Sequence, residues 1–415
     1  MKKNKIKNLI ITGIIIGVLL SFSNATAQEP AWTYETSGSV LSVASTEDII
    51  VGGSRGGMVS AFDISGTLKW RYKTDGDVGS IAIFGDTLAV GSADSNIYVF
   101  DKDTGQLKWT AYAGEFPKVA VSDKFVVVGS YDNSLYVVDK DSGGVIWNKT
   151  RAEEIGSIFS IAISKNTVVA VTGDLDTDMT KGAVYAFDIE TGEELWKYKV
   201  EGWVYTLAVS DDMIVAGSWE KERGAVFEKG RGGVYAFDKN GNLKWRFTAV
   251  EDITSVAISG DNVAFGVGHT YDEDMVYLVD KETGNVSWSQ YIRAPNTDLK
   301  SPFSVQWIAL TEGSVIVGLR DGKVHAYEKK TGCERWDYKT KSDVHTVTAS
   351  NGKIVAGSLD RSFYVFDEGE IGSASWCKKQ MSESTLRIIE IVGVVAIILG
   401  IAFLVLLFSG KIRQR

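Results

Sequence analysis

Ile97-Tyr98-Val99-Phe100-Asp101, followed by Thr104-Gly105 and Trp109, is one copy of a pattern that recurs along the chain. The same pattern returns over residues 184–196 and 276–288. Looser copies end at Trp70, Trp147, Trp245 and Trp336. From Trp32 to Trp376 the steps between these tryptophans are 38 to 49 residues long. A repeat of about 40 residues with strand-type chemistry in each unit predicts an all-β fold, a β-propeller with one sheet per repeat.

Each residue of the recurring pattern has a predicted structural role. Residues 79–109 contain four strand-like segments separated by turns. The Asp of the last turn can accept backbone N–H bonds, and the Gly supplies a positive φ at no steric cost. The Trp is large enough to fill the gap between neighbouring sheets. The repetition therefore carries information about fold, not about catalysis.

The number of blades follows from the inner strands. Sets of strands begin near Val40, Gly79, Val119, Phe159, Val204, Ile253, Val305 and Val344. This predicts eight blades, with seven as the alternative. The segment 32–36 resembles the outer strands at 70–74 and 336–340, yet no inner strands precede it. We expect it to supply the outer strand of blade eight and so close the ring.

The two ends of the chain have the character of targeting and membrane segments. Residues 1–27 combine a basic start, an apolar stretch and a small-residue cleavage site, which predicts a signal peptide, with an uncleaved anchor as the alternative. Residues 391–408 are an uninterrupted apolar run, long enough to cross a bilayer as a helix. Basic residues in the tail, 409–415, favour a cytoplasmic C-terminus. The predicted propeller, 28–376, and juxtamembrane segment, 377–390, then lie outside the cytoplasm, in a single-pass protein of the cell membrane.

The charge of the ectodomain limits its partners. Residues 28–385 contain 36 Lys+Arg and 52 Asp+Glu, a net charge of −16. This negative net charge argues against nucleic-acid binding, which needs a basic surface, and against an ectodomain that lies flat on anionic lipid.

The Asp-x-x-Thr-Gly-x-x-x-Trp units of residues 32–376 resemble the repeat of the pyrroloquinoline-quinone-type propellers. That superfamily holds the quinoprotein alcohol dehydrogenases and the propeller lipoprotein of the bacterial outer-membrane assembly machine. The dehydrogenases hold their cofactor with a vicinal cysteine pair, a calcium site and a catalytic Asp. This chain has neither a Cys-Cys pair nor a Cys-x-x-Cys-His haem motif, so pyrroloquinoline quinone and enzymatic activity are not expected. The resemblance therefore points to the non-enzymatic assembly branch.

Metal-binding motifs are weak in this chain. Asp174, Asp176 and Asp178 alternate like calcium ligands, but Met179 and Tyr185 stand where a calcium loop has Gly and Glu. A solvated acidic loop is the alternative to a Ca²⁺ site. None of the three histidines has a partner at metal-ligand spacing. His325 takes a Tyr position, which predicts a packing role. His345 lies on an inner strand, where a structural role is the first interpretation and a place in the channel lining is the alternative.

Long loops mark one sector of the predicted ring. Strands alternate in direction, so the second-to-third-strand loops and the blade-to-blade loops share one face. On that face, blades four to six have insertions at 173–182, 219–233 and 269–274, and blade six has a long exit. Ordinary drift in loop length is the alternative to a binding sector. The candidate partner-binding residues are Trp203, Trp219, Glu220, Arg223, Tyr271 and Tyr291.

Two covalent features are predicted for an exported domain. Cys333 and Cys377 can pair, because the closure model puts the exit segment beside the hairpin of blade seven. Asn148 and Asn285 begin glycosylation sequons.

These features predict a membrane-anchored extracytoplasmic propeller that binds a protein or surface-polymer partner without catalysis. Two other functions stay open: a quinone- or metal-dependent oxidoreductase, and a receptor for a small ligand in the central channel.

Overall fold

The computed structural model describes residues 28–150, 155–174, 181–221, 230–249, 251–268, 274–292 and 305–369. The chain divides into two compact units, Met1–Ala374 and Ser375–Arg415, and every described residue belongs to the first. Within the described ranges, no helix combines the length and the apolar character that crossing a bilayer requires. The predicted signal peptide and the predicted membrane helix lie outside these ranges, so both stay predictions.

The described strands form eight four-stranded antiparallel sheets, each of which is one blade. Within a blade the strands are given from the channel outwards. Blade 1 contains β2 (Val40–Ser45), β3 (Ile49–Ser54), β4 (Met58–Asp63) and β5 (Leu68–Lys73). Blade 2 contains β6 (Val78–Phe84), β7 (Thr87–Ser92), β8 (Asn96–Asp101) and β9 (Leu107–Tyr112). Blade 3 contains β10 (Lys118–Val121), β11 (Phe125–Gly129), β12 (Leu135–Asp139) and β13 (Val145–Lys149). Blade 4 contains β14 (Ser157–Ser164), β15 (Thr167–Gly173), β16 (Lys181–Asp188) and β17 (Glu194–Glu201).

The second half of the ring repeats this order, with one exception in the last blade. Blade 5 contains β18 (Trp203–Val209), β19 (Met213–Lys221), β20 (Gly230–Asp238) and β21 (Leu243–Ala249). Blade 6 contains β22 (Ile253–Ser259), β23 (Asn262–Val267), β24 (Met275–Asp280) and β25 (Val286–Tyr291). Blade 7 contains β26 (Val305–Leu310), β27 (Ser314–Leu319), β28 (Lys323–Glu328) and β29 (Glu334–Lys339). Blade 8 contains β30 (Val344–Ser350), β31 (Lys353–Ser358), β32 (Ser362–Asp367) and, as its outer strand, β1 (Trp32–Glu35).

The predicted eight-bladed ring and its closure are confirmed. β1 pairs antiparallel with β32, from Trp32 opposite Val365 to Glu35 opposite Ser362. Each inner strand also packs against the inner strands of both neighbouring blades, including β30 against β2. The eight inner strands therefore surround a central channel.

The middle strands of each blade are buried because sheets cover both of their faces. All six residues of Ile49–Ser54 in β3 are buried. Aromatic rings such as Phe62, Phe100 and Phe237 fill the layers between neighbouring sheets and have no exposed surface. These strands read as nearly continuous apolar runs for the same reason.

The recurring tryptophan joins neighbouring blades, as the sequence predicts. Trp70 packs on the Gly105 turn of blade 2 and donates its Nε1–H to the Lys102 carbonyl at 2.8 Å. In that turn Gly105 has a φ of 72°, and the Asp101 carboxylate accepts the Thr104 N–H at 2.8 Å. Six further tryptophans make the same carbonyl bond to the next blade: Trp32, Trp109, Trp147, Trp196, Trp245 and Trp288. The motif residues thus stabilise the turns and the packing of one blade on the next.

Candidate binding site at the loop face of blades 3 to 5

The two faces of the ring differ in the connections they carry. We call the end where the blade-to-blade connections and the second-to-third-strand connections emerge the loop face, and the opposite end the hairpin face. Every inner strand begins at the loop face. The first residues of the inner strands therefore surround the loop-face mouth of the channel.

A β-bulge lies near the start of most inner strands. In β14 the register shifts between Ile158 and Ser160, and in β18 it shifts between Val204 and Thr206. A bulge leaves one residue unpaired and changes the direction of its side chain. In these two blades the extra residues are aromatic, Phe159 and Tyr205. In the other bulged inner strands they are Leu41, Gly79, Thr254, Gln306 and His345.

Aromatic rings from three consecutive blades form one continuous group at the loop face. The Phe159 ring centroid lies 5.3 Å from that of Tyr131 in blade 3. It lies 5.4 Å from Trp203 and 5.5 Å from Tyr205, both in blade 5. Such distances are typical of favourable aromatic pairs. Phe159 therefore connects blade 3 to blade 5 across the start of its own strand.

The group extends at both ends. Phe116 lies 5.6 Å from Tyr131, and Trp219 lies 5.9 Å from Trp203, its cross-strand neighbour in blade 5. The Trp203 Nε1–H is bonded to the Asp174 carbonyl at 3.1 Å. We call Phe116, Tyr131, Phe159, Trp203, Tyr205 and Trp219 the aromatic cluster.

Exposure falls from one end of the aromatic cluster to the other. Phe116 is 56% exposed and Trp219 only 9%. Burial raises the pKa of Tyr131 and of Tyr205, and the negative charge of Asp252 raises the pKa of Tyr205 further. Both phenols therefore keep their protons at neutral pH and can donate hydrogen bonds. The cluster presents an apolar surface with two phenol donors, and Trp219 is its buried end.

The structure brings together only part of the predicted partner-binding set. Trp203 and Trp219 are in contact, but Trp219 is buried, whereas the loop prediction implied an exposed side chain. Tyr291 lies on the outer strand β25 opposite Met275. Glu220 pairs through its backbone with Arg231. Arg223 and Tyr271 lie outside the described residues, so their role stays a prediction.

The predicted loop 219–233 is shorter than expected. β19 continues to Lys221 and β20 begins at Gly230, so both ends of that range are strand. The pairing of Trp203 with Trp219 extends the sheet at this point. Large aromatic side chains favour this, because they pack well across a strand pair.

Sequence reasoning missed Phe116, Tyr131, Phe159 and Tyr205. Tyr131 follows β11, and Phe116 lies in the connection into blade 3. Only the bulge residues Phe159 and Tyr205 leave a signal in the sequence. They are large aromatics at the position where other blades have Leu, Gly, Thr, Gln or His.

The predicted calcium ligands are only partly described. The Asp174 backbone bonds to Lys181, and its carbonyl accepts the Trp203 indole N–H. Asp176 and Asp178 lie outside the described residues. The Ca²⁺ site therefore stays a prediction.

One histidine has acidic partners that its sequence spacing does not suggest. His325 Nδ1 lies 2.5 Å from the Glu334 carboxylate and opposite Asp337 in the pairing of β28 with β29. These three side chains could hold a metal ion. The Lys323 ammonium already lies 2.9 Å from Asp337 and neutralises it. The His325 ring also stacks on Tyr327 at 5.8 Å, as the tyrosines of other blades stack on phenylalanine. We interpret the group as an ion-paired part of blade 7.

The structure describes one cysteine of the predicted disulfide and both predicted glycosylation sites. Cys333 is buried in the hairpin before β29, whereas Cys377 lies outside the described residues, so their pairing stays a prediction. Asn148 and Asn285 are exposed. Their glycosylation also stays a prediction.

Comparison with known proteins identifies the family. A family model described as "Outer membrane protein assembly factor BamB" matches residues 19–130, 131–295 and 272–414. The chain belongs to this family. The resemblance predicted from the repeat units is thereby confirmed.

Individual relatives match shorter stretches. The outer membrane protein assembly factor BamB of Bordetella pertussis is 26% identical over 242 residues, which are 55% of this chain and 57% of that protein. The BamB of Nitrosomonas eutropha is 24% identical over 205 residues, covering 47% of this chain and 42% of the relative. The serine/threonine-protein kinase AfsK of Streptomyces coelicolor is 30% identical over 222 residues, 42% of this chain and 26% of the kinase. The chain thus spans little more than half of the first relative's length and less of the other two.

Solved structures support the fold. BamB from Moraxella catarrhalis superposes with a TM-score of 0.61 at 19% identity, covering 82% of this chain and 100% of that one. The computationally designed Ika8 protein has a TM-score of 0.66, also at 19% identity and with the same coverage. At such identities the likeness extends to the propeller architecture alone.

Proposed function

We propose that this protein is a membrane-anchored extracytoplasmic propeller that binds a partner protein at the aromatic cluster and catalyses no reaction. The observation that carries the proposal is the continuity of the cluster across blades 3, 4 and 5. The recurring tryptophans are committed to blade packing, whereas these six aromatics belong to no repeated motif. Trp and Tyr are enriched among the residues that dominate binding energy at protein interfaces.

Family membership supports a role in assembly. The two BamB relatives are named as assembly factors of an outer membrane. We extend only the general role to this chain, that of a propeller that holds another protein. The quinoprotein alternative is less favoured, because the chain has no adjacent cysteine pair and no haem motif.

The anchoring part of the proposal rests on the sequence of the two ends. The apolar run 391–408 is followed by Lys411, Arg413 and Arg415, which favours a cytoplasmic C-terminus. Protease added to spheroplasts, in which any outer envelope is opened and the cytoplasmic membrane is intact, should remove the propeller and leave a C-terminal tag protected. Protection of both parts, or loss of both, would contradict this topology.

Site-directed photocrosslinking in the full-length, membrane-bound chain tests the binding site. A benzophenone amino acid replaces Phe116, the exposed member of the aromatic cluster. The matched control replaces Tyr112, an aromatic that is 65% exposed on the outer strand β9. We expect a discrete protein adduct from position 116 and none from position 112.

A second change links the adduct to the cluster. Trp203→Ala removes the ring between Phe159 and Trp219 and should abolish the adduct, while thermal unfolding shows that the ring of blades persists. Equal adducts at both positions, or an adduct that survives Trp203→Ala, would contradict the proposed site. A carbohydrate adduct would instead identify a surface polymer as the partner.

A further inference from the structure

One position on the inner strands has the same chemistry in most blades. It is the residue opposite the glycine of the second strand, as in Ser80 opposite Gly91 and Thr206 opposite Gly217. Only blade 4 replaces that glycine, by Val171. In six blades the inner-strand residue has a hydroxyl group: Ser42, Ser80, Ser160, Thr206, Ser255 and Thr346. We call these eight inner-strand positions the inner ring.

Four of these hydroxyl groups bond the inner strand of the next blade: three accept a backbone N–H, and Ser42 Oγ donates to the Val78 carbonyl at 3.1 Å. Ser80 Oγ accepts the Val119 N–H at 3.1 Å, and Ser255 Oγ accepts the Ile308 N–H at 3.1 Å. Thr206 makes the same bond to blade 6 at 3.2 Å. A short side chain at the inner ring therefore satisfies a backbone donor of the next blade. Nothing in this architecture calls for a long side chain.

Two blades break the pattern with long side chains. Lys118 occupies the inner ring in blade 3, and Trp307 occupies it in blade 7. Neither side chain can accept the N–H bond that the hydroxyl groups accept. In a closed ring of eight blades, blades 3 and 7 are opposite each other. Lys118 and Trp307 therefore belong to opposite walls of the channel, at the same level.

The Lys118 ammonium is poorly compensated. Its Nζ lies 5.8 Å from the Tyr131 ring centroid, and no acidic side chain of the described residues lies within ion-pair distance. Burial lowers the pKa of Lys118. A partly buried cation without a carboxylate is costly, so a ligand that supplies one would be favoured.

The charge of Lys118 acts across the ring as well as within its own blade. Burial lowers the pKa of His345 in blade 8, and the charges of Lys118 and Arg55 lower it further, against the opposing effect of Asp343. Lys118 is thus close enough for its charge to act on a blade three positions away. Arg55 lies 3.7 Å from the Asp77 carboxylate, whereas Lys118 has no carboxylate within ion-pair distance among the described residues.

The opposite wall offers an apolar contact. Trp307 is 47% exposed, although the inner ring needs only a small hydroxyl residue there. An exposed Trp is a strong stacking surface for a ligand with an aromatic or aliphatic body.

We propose that the inner ring is a channel site for a carboxylate on an apolar body, in which Lys118 pairs with the carboxylate while Trp307 and Tyr131 contact the body. The carboxylate can belong to a free carboxylic acid or to an acidic side chain of a partner segment. The proposal does not depend on protein binding at the aromatic cluster, because a small molecule tests it directly.

Ligand-observed NMR titration of the full-length protein in detergent micelles measures the site. The small probes are 3-phenylpropionate and its uncharged match, 3-phenylpropanamide. The peptide probes are N-acetyl-Phe-Glu-amide and N-acetyl-Phe-Gln-amide. We expect each acid to bind about tenfold more tightly than its amide, as one charge-assisted hydrogen bond predicts.

The variants replace each of the two long side chains of the inner ring. Lys118→Ser and Trp307→Ser introduce the residue type that other blades have there. Lys118→Ser should remove the preference for the acid, and Trp307→Ser should weaken acid and amide alike. The control Lys124→Ser changes an exposed lysine at the hairpin face of the same blade and should leave binding intact.

The titrations distinguish the two possible sources of the carboxylate from each other and from results that overturn the proposal. Binding of the small acid alone identifies a free metabolite-like acid, and binding of the peptide acid alone identifies a partner's acidic side chain. Equal binding of acid and amide, no binding of either acid, or a preference that survives Lys118→Ser would overturn the proposal. Tyr131 belongs to both sites, but a failed photocrosslink at Phe116 would leave these results unchanged, because the titration measures binding that depends on Lys118 and Trp307.

Discussion

Trp32 lies opposite Val365 in the antiparallel pair of β1 with β32, so the first described strand completes the last blade. The Trp32 ring also lies 5.5 Å from Phe62 of blade 1, and its Nε1–H is bonded to the Ile64 carbonyl at 3.3 Å. One residue thus joins blade 8 to blade 1. Ring closure depends on contacts between residues that are more than 300 positions apart in the sequence.

Removing the Trp32 ring should destabilise the whole propeller. We expect Trp32→Ala to lower the free energy of unfolding by about 3 kcal/mol, since it removes a half-buried aromatic ring and its hydrogen bond. Thr33→Ala, at the exposed neighbouring position, is the control. Urea unfolding followed by tryptophan fluorescence measures both. Equal stability of the two variants would show that the junction contributes little.

The glycine of the turn between the third and outer strands of a blade should tolerate no side chain. A Cβ at Gly105 would lie 2.5 Å from the Trp70 ring, in addition to the strain of its positive φ. Gly85 also has a positive φ, but a Cβ there would meet nothing within 4 Å. We expect Gly85→Ala to cost about 1 kcal/mol from backbone strain alone. Gly105→Ala should cost clearly more, and similar losses in the two variants would refute the packing role of Trp70.

His345, the bulge residue of blade 8, should make stability depend on pH. Burial and the charges of Lys118 and Arg55 lower the pKa of His345 in the folded state. The unfolded chain therefore binds the proton first, near pH 6.5. The contribution of neutral His345 is complete above that pH and is lost as the pH falls through the folded-state pKa. His345→Gln, which copies Gln306 of blade 7, should reduce the loss of stability between pH 6.5 and lower values.

NMR titration of the imidazole provides a direct check. Lys118→Ser should raise the pKa of His345 toward its ordinary value, because it removes a nearby positive charge. Lys124→Ser at the hairpin face should leave that pKa where it is in the unmodified protein. An unchanged His345 pKa in Lys118→Ser would mean that the Lys118 charge does not reach blade 8.

The predicted disulfide can be tested by mass. We expect the intact mass of the exported protein to increase by two hydrogen atoms on reduction, because Cys333 and Cys377 are the only cysteines of the chain. Cys377→Ser should show no such increase. Two thiols that alkylate without prior reduction would contradict the pairing.

The candidate site was only partly predictable from the sequence. Trp203 could be identified because it stands where other blades have Asp77, Asp252 and Asp343. Phe159 left a weaker signal, a large aromatic at a position where other blades have Leu, Gly, Thr, Gln or His, and Tyr131 left none, since it belongs to no motif and no long insertion. Their contact depends on the angle at which blade 3 meets blade 4 and on the bulge after Ile158.

The repeat, the preference for eight blades over seven and the closing role of Trp32 were readable from the sequence, because they depend on local strand and turn chemistry repeated at a regular interval. Which departures from the repeat come together depends on the tertiary structure. Phe159 reaches Trp203 and Tyr131, and Lys118 and Trp307 belong to opposite walls, because a closed ring brings together residues that are far apart in the chain. Side-chain direction at a bulge and distance across a channel are properties of the folded ring, and no periodic pattern records them.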